Sequence, residues 1–261
     1  MNNLAIETEG LTRRFGELEA VRDVNLRVEA GQFFGFLGPN GAGKSTIIKM
    51  LTGLLEPTAG RIRILGLDLA AEPIAVKSQI GVVPEGLALF DRLTGPEYLN
   101  FAGRMYGLDR ATAAERAQEL LDFMSLADRP KTLIVDYSHG MKKKLAMAAA
   151  VIHSPKVLFL DEPFEGVDAI AAGALKAMLN RMIARGATIF LTSHVLEIVE
   201  RLCSHVAIIS RGDLVAQGSI DELRSGVAAR QDGGQKASLE QIFLDIVGGE
   251  RVAARELSWL E

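Results

Sequence analysis

The stretch that decides the fold is Phe33-Phe34-Gly35-Phe36-Leu37 running into Gly38-Pro39-Asn40-Gly41-Ala42-Gly43-Lys44-Ser45-Thr46. The first five residues have no polar side chain at any position, as expected of a central strand buried on both faces of a parallel sheet. The loop that follows has the pattern GxxxxGK[ST]. Its glycines let backbone amides wrap a phosphate, and the helix that opens after it points its N-terminus at the same negative charge. Lys44 is placed to neutralise the β and γ phosphates of a nucleotide, and the Ser45 hydroxyl to ligate Mg²⁺. Ile47, Ile48, Leu51, Leu54 and Leu55 recur at helical spacing, with Gly53, Pro57 and Gly60 as stop signals, so the spacing predicts a helix over 43–54.

Working outward, 4–11, 24–28 and 61–65 read as strands, several of them antiparallel with one polar face. Ile80 to Val83 is another strand. The chain is then largely helical from about Pro96 to Ala127, with Gly107 between two helices, and this stretch reads as a separate helical lobe. A helix begins at Ser138, a residue suited to capping, and ends near His153, before Pro155. Buried strands over 157–160 and 188–191 flank a helix over 169–184, the alternation of a doubly wound parallel sheet. Short strands over 206–210 and 214–216 precede the capping box Ser219-Ile220-Asp221-Glu222. A polar stretch around Gln231 to Gln235 is a linker candidate. A second box, Ser238-Leu239-Glu240-Gln241, opens a short apolar helix through Val247, and Gly248 to Glu261 forms a tail.

At 261 residues the chain is long enough to bury a substantial core. With 48% hydrophobic and 24% charged residues it reads as an ordinary globular protein. The net charge of −4 gives no electrostatic reason to expect a nucleic-acid partner, and Lys142-Lys143-Lys144 reads as a solvated helix face. The single cysteine, Cys203, excludes an intrachain disulfide and a cysteine-cluster metal site, fits a reducing compartment, and reads as a buried small apolar residue. The N-terminus lacks the basic-then-apolar pattern of a secretory signal, and no apolar run reaches the ~18 residues of a membrane span. The expectation is therefore a protein that is neither secreted by that route nor integral to a membrane.

The strand Val157-Leu158-Phe159-Leu160 ends in Asp161-Glu162, which delivers two carboxylates to the sheet's carboxyl edge beside the phosphates. Asp161 is the candidate to hold Mg²⁺ through water, and Glu162 the general base for the attacking water. The next buried strand ends in Leu191-Thr192-Ser193-His194, which places His194 to touch the γ-phosphate or that water.

With these motifs in this order, the chain resembles the ATP-binding-cassette (ABC) ATPases over about residues 4 to 225. Tyr137-Ser138-His139-Gly140-Met141 occupies the place of that family's LSGGQ signature, Glu165-Gly166-Val167-Asp168 is similar to its D-loop, and Thr192-Ser193-His194 to its switch histidine. Phe15, in Arg14-Phe15-Gly16, sits where the family has an aromatic residue stacking on adenine. The resemblance implies a P-loop NTPase (RecA-like) α/β fold: a parallel sheet core, an antiparallel β subdomain and an inserted helical subdomain over about 88–153. The nucleotide-binding domain would span 1–225, followed by linker, short helix and tail over 226–261. Departures fall at Tyr137, His139 and Met141, where Leu, Gly and Gln are commonest, and at Glu85, where a glutamine usually joins the strand to the helical lobe. A carboxylate there can still ligate Mg²⁺, but it repels the γ-phosphate when the metal is absent.

In the family the signature contacts nucleotide on the opposite subunit, so the resemblance implies a dimer, a homodimer in the simplest case, in which Ser138, Gly140 and Asp168 act across the interface. It implies Mg²⁺-dependent ATP hydrolysis coupled to transport by a separate polytopic permease, with the ATPase peripheral on the cytoplasmic face of the membrane. Gly86 to Gly107 and the signature are most similar to ATPases of ABC-2-type exporters. The apolar positions Leu87, Leu89, Phe90, Leu93 and Tyr98 fit a permease dock or the core of the helical lobe equally well. A soluble ABC ATPase acting on nucleic acid or ribosomes, and a regulatory ATP sensor, are the alternatives.

Overall fold

The computed structural model describes residues 3–228 and 238–247. β1 (Leu4–Phe15) turns back as β2 (Leu18–Val24) and then pairs with β3 (Arg27–Glu29), all antiparallel. The sequence reading of one strand over 24–28 is thus corrected to two. Asp23, at φ 43, bulges the end of β2 just before Val24, and the Asn25 side chain accepts from the Gly10 amide at 2.9 Å between the two strands. β4 (Phe33–Leu37) follows, then α1 (Lys44–Leu51), which stops three residues short of the expected helix. β5 (Ala59–Ile64) and β6 (Leu67–Asp68) complete an antiparallel sheet in which β1 lies between β2 and β5.

After α2 (Pro73–Lys77) and β7 (Ile80–Val83) come α3 (Gly95–Met105) and α4 (Arg110–Phe123), on either side of Gly107. Thr94 and Glu97 form a reciprocal capping box on α3, and Asp109 caps α4. α5 (His139–Val151), β8 (Val157–Asp161), α6 (Ala169–Ala184), β9 (Thr188–Thr192), α7 (Leu196–Leu202), β10 (His205–Ser210) and β11 (Asp213–Ser219) lead to α8 (Ile220–Ala228) and α9 (Leu239–Val247). The linker candidate around Gln231–Gln235 and the tail from Gly248 lie outside the described residues.

The second sheet has the order β11-β10-β4-β9-β8-β7, parallel from β10 to β7 with β11 antiparallel at one edge. Every residue of β4, β8 and β9 is buried, which is why they read as unbroken apolar runs. Alternate side chains feed two cores. Phe34, Phe36, Phe159 and Phe190 face α1 and the antiparallel sheet, with the Phe190 ring 5.4 to 5.7 Å from the other three. Burying one such ring stabilises the fold by about 1.5–3 kcal/mol. Leu37, Leu158, Leu160 and Leu191 face the other side, in one cluster with Leu99, Leu121 and Leu145 of the helices. The helical stretch read as a separate lobe therefore shares a continuous apolar core with the sheet. Gly81 permits the tight approach of α5 to β7, since a Cβ there would lie 2.2 Å from the Ala150 carbonyl oxygen.

Candidate nucleotide site

The loop after β4 closes on itself. The Lys44 ammonium, nearly buried, donates to the carbonyls of Gly38 at 2.8 Å and Pro39 at 3.2 Å. Gly43 has φ 109, and a Cβ there would meet the Ala20 carbonyl at 2.7 Å, so only glycine fits. No side chain caps α1 at Gly43. The first-turn amides of a helix have no intrahelical partner, so here they remain open to an anion.

In the order β4, β9, β8 the three chain reversals that carry the motifs come out side by side on one edge of the sheet. Asp161, buried at the end of β8, accepts a 2.5 Å hydrogen bond from the Thr192 hydroxyl of β9, and the same hydroxyl accepts from the Glu162 amide at 3.2 Å. The Glu162 carboxylate lies 3.0 Å from the His194 Nδ1 and accepts from the His194 amide at 3.3 Å. Separately, the Ser45 hydroxyl donates to the Glu85 carboxylate at 3.4 Å. Bonds thus link Asp161, Glu162 and His194 into one group, and Ser45 and Glu85 into another.

Ser138 and Gly140 sit at the N-terminus of α5, where the Ser138 hydroxyl accepts from the Met141 amide at 3.3 Å. Among the described residues, none of the Ser138 hydrogen bonds goes to the phosphate loop. The His139 ring lies over Gly166, where an added Cβ would come within 3.0 Å of it. Asp168 caps α6 through the Ala171 amide at 2.9 Å, a bond that holds its carboxyl below the usual range, with Lys144 assisting. Phe15, at the end of β1, is 45% exposed, with the Arg13 guanidinium over one face of its ring at 4.6 Å.

The reading of Lys142-Lys143-Lys144 as a solvated face is corrected at Lys143, which is only 4% exposed and donates to the main-chain carbonyls of Glu162 and Glu165. Burial pushes its ammonium below the ordinary lysine range, while Glu165, Glu162 and Glu85 pull it back up. The signal was present in the spacing: Lys143, Met147 and Ala150 lie on one buried stripe of α5. Thr192 carried no signal beyond closing a strand. Cys203 is buried, as read, and burial pushes its thiol far above the normal range.

A phosphate loop between strand and helix, with a strand-end acid pair and a histidine beside it, defines a P-loop ATPase. Within that class the chain belongs to the ABC transporter family, whose profile matches residues 21–165. It is 39% identical over 225 residues to the daunorubicin/doxorubicin resistance ATP-binding protein DrrA of Streptomyces peucetius, covering 86% of this chain and 68% of that protein. It is 37% identical over 220 residues to the linearmycin resistance ATP-binding protein LnrL of Bacillus subtilis, covering 84% and 71%. A solved ATP-binding subunit of an ABC transporter superposes with a TM-score of 0.86 at 34% identity, covering 93% of this chain and 99% of the other. A dimeric cassette in a post-hydrolysis state, bound to ADP and Pi, shares the fold with a TM-score of 0.76 at 22% identity, over 82% of this chain and 98% of its own. The chain is accordingly an ATP-hydrolysing subunit of the ABC transport class, with the fold the motifs implied. No helix among the described residues is long and apolar enough to cross a membrane.

Proposed function

We propose that Glu162 and His194 carry hydrolysis of an ATP seated on the loop 38–46, and that the cycle drives export of a hydrophobic solute through a separate polytopic permease. The 3.0 Å contact between Glu162 and His194, beside the phosphate loop, is the observation that carries this reading. Glu162 accepts a proton from the attacking water as its oxygen bonds to the γ-phosphorus, and the bond to the β-bridging oxygen breaks to release ADP. His194 contacts the γ-phosphate, and Lys44 neutralises the β and γ oxygens. Phe15 offers its open face to adenine.

The oxygen donors Ser45, Glu85 and Asp161 suit a hard divalent cation. The described residues hold no metal cage of three or more Asp, Glu, His or Cys side chains, and Mg²⁺ usually needs none because substrate phosphates complete its shell. When bound there, Mg²⁺ supplies charge neutralisation at the phosphate oxygens.

Ser138 and Gly140, with the first-turn amides of α5, are suited to a γ-phosphate held by a second copy, and Asp168, two residues after the Gly166 that faces the His139 ring, is available to the same interface. We therefore favour a homodimer with two nucleotides at its interface. The permease dock we assign to the cleft of about 280 Å³ beside Pro84, Leu87, Tyr98 and Tyr106. Leu87, Leu89, Leu93 and Tyr98 pack partly on the core, whereas Phe90 and Phe101 stay 54% and 44% exposed, edge to face at 5.4 Å. An apolar segment of the permease suits that rim, and it puts the ATPase on the cytoplasmic face.

Glu162→Gln should retain ATP and stall turnover, and light scattering should then give twice the monomer mass with Mg-ATP; a monomer there sinks the dimer. Affinity purification from gently solubilised membranes should recover a polytopic membrane protein. Recovery with ribosomes or DNA alone overturns the transport reading.

A further inference from the structure

The phosphate loop and His194 have a neighbour that belongs to none of the motifs. A cleft of about 230 Å³ is walled by Pro39 and Asn40 on one side, by His194 and Leu196 on another, and by Phe243 of α9. α9 is held firmly: Leu239 and Ile242 are fully buried, Ser238 caps the helix through the Gln241 amide at 3.2 Å, and the helix packs on α7 and α8. Phe243 follows Ile242 and packs, half-buried, against the same apolar core as Leu196, Ile198 and Leu202 of α7.

The segment that carries His194 has little else to hold it from outside. α7 starts at Leu196 without a side-chain cap, and Val195 is exposed. The local bonds of this segment run inward or within the turn: the His194 Nδ1 and amide both meet the Glu162 carboxylate, the Val195 amide donates to the Ser193 hydroxyl at 3.0 Å, and the Ile198 amide donates to the Val195 carbonyl at 3.1 Å. An aromatic ring across the cleft therefore limits how far the 193–196 turn can swing away from the Glu162 carboxylate.

We propose that Phe243 is a positioning residue for His194, and that α9 thereby acts as a clamp on hydrolysis whose docking sets the turnover rate. The inference rests on the role proposed above for His194. Because a misplacement of about 1 Å at a reacting group can cost as much as ~100-fold in rate, a partial loss of support should appear in kcat before it appears in nucleotide affinity.

The test uses the full chain, with steady-state ATPase and Mg-ATP binding measured for Phe243→Ala, Phe243→Leu, His194→Ala and the pair Phe243→Ala/His194→Ala. Leu244→Ala, at an exposed position on the same helix, is the control. The expected result is a fall in kcat of about tenfold for Phe243→Ala with the Kd for Mg-ATP changed less than about twofold, recovery of most of the rate in Phe243→Leu, and no further loss from Phe243→Ala once His194 is gone. Wild-type kcat in Phe243→Ala, or the same proportional loss with and without His194, overturns the clamp. Wild-type kcat in His194→Ala overturns instead the role of His194, and the clamp with it. Where Phe243→Ala is too unstable to purify, Phe243→Val takes its place in the same cycle with the same outcomes.

Discussion

The ammonium of Lys143 donates to the main-chain carbonyl of Glu162 at 2.8 Å, so the helix that opens within the signature is pinned to the backbone of the proposed general base. A second bond runs to the Glu165 carbonyl. Lys143→Met leaves both carbonyls without their donor and should lower stability in urea by about 1–3 kcal/mol. It should also reduce kcat about tenfold, because Glu162 loses an anchor. Lys143→Arg, which keeps donors, should recover part of both losses; equal behaviour of the two variants would count against the anchoring role.

Glu85 places a carboxylate 3.4 Å from the Ser45 hydroxyl, where phosphate and metal are expected to meet. Glu85→Gln removes a charge that repels metal-free nucleotide and attracts Mg²⁺. The ratio of ATP affinity with Mg²⁺ to affinity in EDTA should shrink about tenfold, the scale of one moderately screened charge interaction of ~1.4 kcal/mol. Fluorescent-nucleotide titrations in both conditions measure that ratio, and an unchanged value would remove Glu85 from the metal site.

Arg13 covers one face of the Phe15 ring and is itself tied to the Glu56 carbonyl at 2.9 Å, which leaves the other face for a base. Phe15→Ala should raise the Kd for ATP about 2- to 10-fold, the range of ~0.5–1.5 kcal/mol for an aromatic stack. Phe15→Trp should bind close to wild type. Equal ATP binding by Phe15 and Ala variants in calorimetry would assign the ring to packing alone.

His153 stacks flat on Tyr106 at 3.6 Å and contacts the Ile80 carbonyl through Nε2 at 3.0 Å. Burial lowers its pKa, the Ile80 contact opposes this, and Arg116 lowers it further. The folded chain therefore binds its proton at lower pH than the unfolded chain does. In the window below about 6.5, the unfolded state holds more protons, so stability falls as pH drops and is fully restored above that value. His153→Gln, which keeps a donor for Ile80 without titrating, should flatten that slope; denaturant melts at pH 5.5 and 7.5 compare the two.

The parallel strands were legible because β4, β8 and β9 are buried on both faces, so no alternation interrupts their apolar runs. α6 and the caps at Ser138, Ser219 and Ser238 were legible for a local reason, since a cap and an apolar stripe lie within a few residues of each other. β2 was hidden by Glu19, Arg22 and Asp23, which belong to an edge strand with exposed positions. Within the candidate site, motifs pointed to Lys44, Asp161, Glu162 and His194, each at the end of a readable strand or loop. Lys143 escaped because the basic run 142–144 masked the buried stripe that its spacing with Met147 and Ala150 marks, and Phe243 because the other residues of its cleft lie far away in the sequence.

Glu162 also has φ 49, a left-handed conformation that costs a side-chain-bearing residue about 1–2 kcal/mol. Glycine alone accepts that geometry freely, so the substitution best tolerated by the backbone is also the one that deletes the carboxylate. On the role proposed for Glu162, selection for thermal resilience and selection for turnover pull in opposite directions at this position. If Glu162 is the general base proposed above, a library enriched only for heat survival should drift towards well-folded, silent chains.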